Sequence, residues 1–170
     1  MATTIPVIET ARLVLRGHRE ADLDDAAVMW ADPEVTRFIG GKPSTREEVW
    51  SRLLRYVGHW SLNGYGFWAV CEKATGRFAG EVGMADFKRD MEPALDAPEV
   101  GWVFAPHAHG KGYATEAVQA ALAWGVRLGG RFSCLIGTDN RASIRVAEKC
   151  GFQETGRTTY HAEPTIVLAI

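Results

Sequence analysis

The chain has 170 residues, 46% hydrophobic and 24% charged, with 19 basic and 21 acidic side chains and a formal net charge of −2. That is the size and apolar content of one domain around one core, so residues 1–170 are read as a single unit. A nearly balanced charge and a pI near 6.2 give no global field for gripping nucleic acid or an anionic membrane, and any anion must be bound locally. The cysteines Cys71, Cys134 and Cys150 are odd in number, widely spaced and outside any zinc-type pattern, so neither a disulfide scaffold nor a metal site is expected. No basic leader precedes an apolar core, Glu9 lies in the first segment, and no apolar run reaches the roughly 20 residues of a bilayer span. The expected setting is soluble, reduced and cytoplasmic.

The hydrophobic period changes repeatedly along the chain. Residues 10–17 alternate as a strand, and Asp22 then opens a helix with Leu23, Ala26, Ala27 and Trp30 at helical spacing, closed before Pro33. Ser44 and Glu47 have capping-box spacing ahead of a helix striped by Trp50, Leu53, Leu54 and Val57 and ending at Asn63-Gly64. Strand patterns follow at 66–72, 77–87 and 98–105, the first two joined by a turn through Ala74-Thr75-Gly76, which suggests an antiparallel meander. A helix with Ala114, Ala117, Val118, Ala121 and Leu122 on one face ends at Gly129-Gly130. Residues 131–138 read as a strand, 141–150 as a short helix, and 151–158 and 165–170 as final strands. This order predicts an α+β fold with a mixed central sheet of about seven strands and about four helices.

Residues 101–117 carry the strongest chemical signal, a strand running through Gly110-Lys111-Gly112 into a helix start. Unpaired N–H groups and the helix dipole make such a start a phosphate site, and the glycines remove side chains where a pyrophosphate would approach the backbone. Lys111 either adds charge or lies in solvent. A Walker loop fails, because Ala105 stands where its first glycine belongs and Gly112 follows Lys111; a dinucleotide fingerprint fails at Thr115. A second cluster runs from Asn140, an N-cap candidate, to Gly151-Phe152, a helix stop. Within it Ser143 shares a face with Val146, Ala147 and Cys150, so its hydroxyl points inward and needs a partner.

Residues 110–117 and 140–152, with residues 10–16 and 32–36, resemble the GNAT superfamily of acyl-CoA-dependent N-acetyltransferases, and more narrowly its ribosomal-protein (RimJ/RimL-type) branch. Where the family's pyrophosphate loop carries Gln or Arg, this chain has His107. The resemblance implies acetyl-CoA as co-substrate. Backbone groups of Val103, Phe104 and Ala105 would bind its pantetheine arm where that strand parts from strand 131–138, and the loop Gly110, Lys111, Gly112, Tyr113 and Ala114 would hold the pyrophosphate. Asn140 would contact the pantetheine or acceptor region, and Ser143 would lie near the thioester sulfur.

Attack on a thioester needs a neutral amine. A lysine-like amine with pKa near 10.4 is neutral roughly once in 2,500 molecules at pH 7, an α-amine with pKa near 8 about one time in ten. A base therefore matters most for the first. Glu99, at the start of the strand leading to the loop, occupies the position where relatives place a glutamate facing the acceptor, with Glu81, His161 and Glu163 as weaker candidates. Ser143 is the first choice of proton donor to the departing thiolate, followed by Tyr113 and Tyr160. The cysteines read as small core residues, and transfer without an acyl-enzyme is expected. The expected reaction is acetyl transfer to a primary amine such as a protein N-terminus. Acetylation of a small-molecule amine, or a CoA sensor without catalysis, are the alternatives, because residues 36–45 and 88–98, which would wall the acceptor, carry no readable code. No nucleic acid or membrane partner is expected, and a homodimer is one arrangement allowed.

Overall fold

A computed structural model describes residues 4–170. Eight strands form one sheet: β1 (Ile8–Glu9), β2 (Leu13–Arg16), β3 (Phe67–Glu72), β4 (Phe78–Ala85), β5 (Glu99–Phe104), β6 (Ser133–Gly137), β7 (Gln153–Tyr160) and β8 (Glu163–Ala169). Their spatial order is β1-β2-β3-β4-β5-β6-β8-β7. The expected meander is present as the antiparallel run β2 to β5, and β6 then lies parallel to β5. The added strand is β1. Residues 10–12, expected within the first strand, form the turn that joins it to β2, closed by bonds between Thr10 and Leu13.

Five α-helices flank the sheet: α1 (Leu23–Ala31), α2 (Pro33–Thr36), α3 (Arg46–Asn63), α4 (Tyr113–Gly125) and α5 (Arg141–Lys149). The extra one is α2, a single turn that Asp32 caps by accepting from the amide of Glu34, with Pro33 in its first turn. At α3 the capping box lies one residue later than its spacing suggested. Thr45 and Glu48 bond each other's backbone amides, and the buried face of the helix is Val49, Leu53, Tyr56 and Trp60. Leu54 and Val57 consequently lie exposed. Thr45→Ala should therefore cost about 1 kcal/mol in denaturant unfolding while Ser44→Ala costs close to nothing.

Helices α1 to α3 cover one face of the sheet, packing Met29, Trp30, Val49 and Leu53 onto Ala69, Phe78 and Val103. Helices α4 and α5 cover the other through Ala117, Val118, Ala121 and Ala147 against Val82, Met84, Val100 and Phe104. Trp30, Trp60 and Trp68 are buried, and Trp50 and Trp102 are half-buried. Between β5 and β6 the ladder has one pair, Glu99 with Ser133, supported by the Ser133 amide donating to the carbonyl of Pro98. Beyond it the parallel strands diverge into a wedge that is open at their C-terminal ends.

Candidate active site at the strand wedge

The wedge leaves one backbone edge of β5 without a strand partner. In an antiparallel ladder successive residues face alternate neighbours. The Ala105 amide donates to the Ala79 carbonyl, and Val103 pairs with Glu81 and Gly101 with Gly83, so the peptide groups of Val103 and Ala105 are turned to β4. Of the three residues expected to serve the pantetheine arm, only Phe104 directs its backbone into the wedge, joined there by Trp102. The Phe104 carbonyl already accepts from His109 Nε2 at 2.7 Å.

At the mouth of the wedge a 3-10 turn (Pro106–Ala108) leads to Gly110 and Gly112, at φ +71° and +77°. Both are left-handed, a conformation that costs a residue with a side chain. A Cβ built at Gly110 would meet no described atom within 4 Å, so within the protein it is the left-handed conformation that favours glycine there. Gly112 starts α4, and no side chain caps the helix's first amides. A helix start left without a protein acceptor, reached from an unpaired strand edge, fits a ligand with an extended amide-bearing arm and an anionic end. Tyr113, Ala114 and Asn140 stand around this mouth. Lys111 is half exposed, with Nζ 3.4 Å from Glu72.

Asn140 is the N-cap of α5, its Oδ1 accepting from the Ser143 amide at 3.2 Å. Ser143 is half-buried instead of fully enclosed, and its hydroxyl makes no hydrogen bond among the described residues. It lies past the C-terminal end of β6, whereas Glu99 sits where β5 and β6 still pair. The two ends of β6, four residues apart, are separated by about 13 Å of strand, so Glu99 and Ser143 flank the wedge without touching. Tyr113 is directed elsewhere, its hydroxyl 3.4 Å from Glu72 at the end of β3.

Glu99 is 7% exposed and clamped by an arginine that sequence reasoning did not single out. Arg89 donates from Nη2 to Oε1 at 2.7 Å and from Nε to Oε2, while its Nη1 donates to the Tyr160 hydroxyl at 3.1 Å. Its guanidinium lies over the Phe87 and Tyr160 rings. Burial opposes the Arg89 charge, but the bonds to Glu99 more than offset it and raise its pKa. Nothing in the spacing of Arg89 marks it; the one signal was its place in the 88–98 loop expected to wall the acceptor. Tyr160 is thus engaged with Arg89, and His161 and Glu163 are exposed at the β7–β8 hairpin. Glu81 is fully enclosed beneath α1 and α3, accepting from Trp30 Nε1 at 3.1 Å and the Tyr56 hydroxyl at 3.3 Å, with His18 Nε2 3.5 Å away.

All three cysteines are buried and unpaired. Burial raises each thiol pKa, that of Cys134 to about 12 and that of Cys150 to about 11. No group of three or more metal-ligating side chains occurs among the described residues, and no described helix is long and apolar enough to cross a membrane.

An unpaired strand edge and a glycine-opened helix start thus meet at one mouth of the sheet. Residues 12–153 match the acetyltransferase (GNAT) domain family. The Bacillus subtilis protein YkkB is 36% identical over 141 residues, covering 76% of each chain. An acetyltransferase from Agrobacterium tumefaciens superposes with a TM-score of 0.83 at 25% identity, over 98% of this chain and 95% of that one. RimL, the ribosomal L7/L12 α-N-protein acetyltransferase solved with coenzyme A, shares the fold at a TM-score of 0.79 and 18% identity, over 97% of both chains. The chain belongs to the GNAT family of acetyltransferases and is an acyltransferase of the N-acetyltransferase type.

Proposed function

We propose that the protein transfers an acetyl group from acetyl-CoA directly to a primary amine, with a protein N-terminal amine as acceptor. The observation that carries this is the unpaired edge of β5 at Trp102 and Phe104 ending at the uncapped start of α4. Those backbone groups hold the pantetheine arm, and the amides of Gly110 to Ala114 hold the pyrophosphate. Coenzyme A supplies the thioester that activates the acetyl group. The α-amine acceptor is favoured by the fold shared with RimL and by its larger neutral fraction at pH 7.

A thioester lying midway in the wedge has Glu99 on its closed side and Ser143 on its open side. Arg89 occupies one lone pair on each Glu99 oxygen, leaving two acceptor positions for the proton of the amine or of an intervening water. The amine nitrogen bonds to the thioester carbonyl carbon as its proton passes to Glu99, the carbon–sulfur bond breaks, and the thiolate leaves with a hydrogen bond from the half-buried Ser143 hydroxyl, to be protonated from water while Glu99 gives its proton back to solvent. Asn140 fixes the first turn of α5, which carries Ser143, by accepting from its amide.

Thiol release measured with peptides bearing free N-termini, with their N-terminally blocked forms carrying lysine, and with small polyamines and amino acids tests the reading. Turnover confined to free N-termini is the expected result. Turnover confined to small amines moves the acceptor to that class, and CoA binding with no turnover on any amine removes the catalytic reading. Transfer without an acyl-enzyme has a separate check. At pH 7 a thiol with pKa about 11 is thiolate roughly once in ten thousand molecules. Alanine at Cys71, Cys134 or Cys150 should therefore leave kcat within a few-fold of the parent, at a cost in stability, and intact-mass spectra during turnover should show no acetylated protein.

A further inference from the structure

Arg12 lies in the turn between β1 and β2, far from the loop in sequence and against it in space. Its Nε and Nη2 lie 2.8 and 2.7 Å from Glu116 Oε2, its own amide donates to Glu116 Oε1 at 2.9 Å, and the Thr10 hydroxyl donates to the same oxygen at 2.6 Å. Four contacts thus tie the β1–β2 turn to the first turn of α4. The remaining arm of the guanidinium, Nη1, donates to the Lys111 carbonyl at 2.8 Å. Arg12 also lies over the Tyr113 ring. Such a fork spends donors on a side chain and a backbone oxygen at once, which is the geometry a planar guanidinium supplies and an ammonium does not.

The contact with the Lys111 carbonyl has a direct consequence for the cradle. The peptide between Lys111 and Gly112 is trans, so its C=O and N–H point in opposite directions. With the carbonyl held by Arg12, the Gly112 N–H is aimed away from Arg12. A charged donor on the carbonyl also polarises that peptide and strengthens its N–H as a donor. Glu116 adds a second reason for the arrangement. It is an anion one turn inside a helix start proposed to bind an anion, and its pairing with Arg12 offsets that repulsion.

We infer that Arg12, anchored by Thr10 and Glu116, is a positioning residue for the CoA pyrophosphate, acting from behind the loop by fixing the Lys111–Gly112 peptide plane. This rests on the reading that the loop binds CoA. The other charged groups nearby are arranged consistently. Lys111 is 3.4 Å from Glu72, and Lys73 pairs with Glu9 at 2.8 Å while donating to the Thr10 carbonyl at 3.3 Å. Arg12 is the cation that reaches the loop backbone.

Isothermal calorimetry of CoA binding to the full chain, with the parent, Arg12→Ala and Arg12→Lys, tests the inference. It is paired with kcat/KM for S-acetylpantetheine, a donor that lacks the pyrophosphate. The expected result is a loss of CoA affinity of about ten-fold or more in Arg12→Ala. Lysine should restore less than half of that loss on a logarithmic scale, and the S-acetylpantetheine rate should stay within two-fold in both. CoA affinity within two-fold of the parent in either variant overturns the inference, as does an equal loss with S-acetylpantetheine. If Arg12→Ala does not fold, Arg12→Lys decides by the same criteria. Failure of the parent itself to bind CoA overturns the functional reading together with the inference, whereas parent binding that the substitutions leave unchanged overturns the inference alone.

Discussion

Glu99→Gln should lower kcat/KM for the true acceptor by roughly 10²-fold at neutral pH, because glutamine keeps the shape and the bond to Arg89 but cannot take a proton. The deficit should shrink as pH rises, since more of the free amine is then already neutral and water or hydroxide replaces the carboxylate. The measurement is a pH profile of kcat/KM for both proteins. A variant with parent-like kcat/KM at neutral pH would reduce Glu99 to the counter-ion of Arg89 and move the search for a base elsewhere. The exposed hairpin residues His161 and Glu163 would be tested next, before enclosed Glu81. Glutamine also removes the counter-charge of the partly buried Arg89 and can accept only one of its two bonds, so Glu99→Gln should melt earlier than the parent. Kinetics are therefore compared well below both transitions.

Gly112→Val should weaken CoA binding by at least about ten-fold, and the structure adds backbone strain to the obstruction the sequence suggested. Within the protein a side chain there has room, since the built Cβ has one neighbour among the described residues within 4 Å, Arg12 Nη2, at 3.5 Å. The added cost comes from φ +77°, about 1–2 kcal/mol for an L-residue and more for a β-branched one. Relaxation of that strain would turn the Gly112 amide out of the cradle and, in valine, press the added methyls toward Arg12. Gly112→Ala should show a smaller loss, and calorimetry of CoA with the two variants checks the order. Unchanged affinity in the valine variant would remove the loop from the pyrophosphate site.

Much of the site was legible because it is built from local chain. The strand, the glycine turn and the helix start of 99–125 are contiguous, as is the capped helix from Asn140 to Gly151, and local sequence carries turn chemistry and caps directly. Periodicity likewise separated the meander from the helices, since alternation and 3.6-residue spacing depend on which faces a segment buries. It failed where two registers lie close together. Ser44/Glu47 and Thr45/Glu48 both have the capping-box spacing, and packing of Tyr56 and Trp60 against the sheet selected the second.

The sequence by itself therefore determined a single α+β domain, an antiparallel meander, and a glycine-opened helix start, because each is written in neighbouring residues. Tertiary structure decided which peptide groups of β5 remain free, since that depends on the ladder with β4 and on the divergence of β6. It also decided the partners of the charges. Arg89 meets Glu99 across a loop, and Arg12 meets Glu116 and Lys111 across 104 and 99 positions of chain. Such pairs are created when the sheet closes, and no local pattern of residues specifies a contact whose two halves approach each other only in the folded chain.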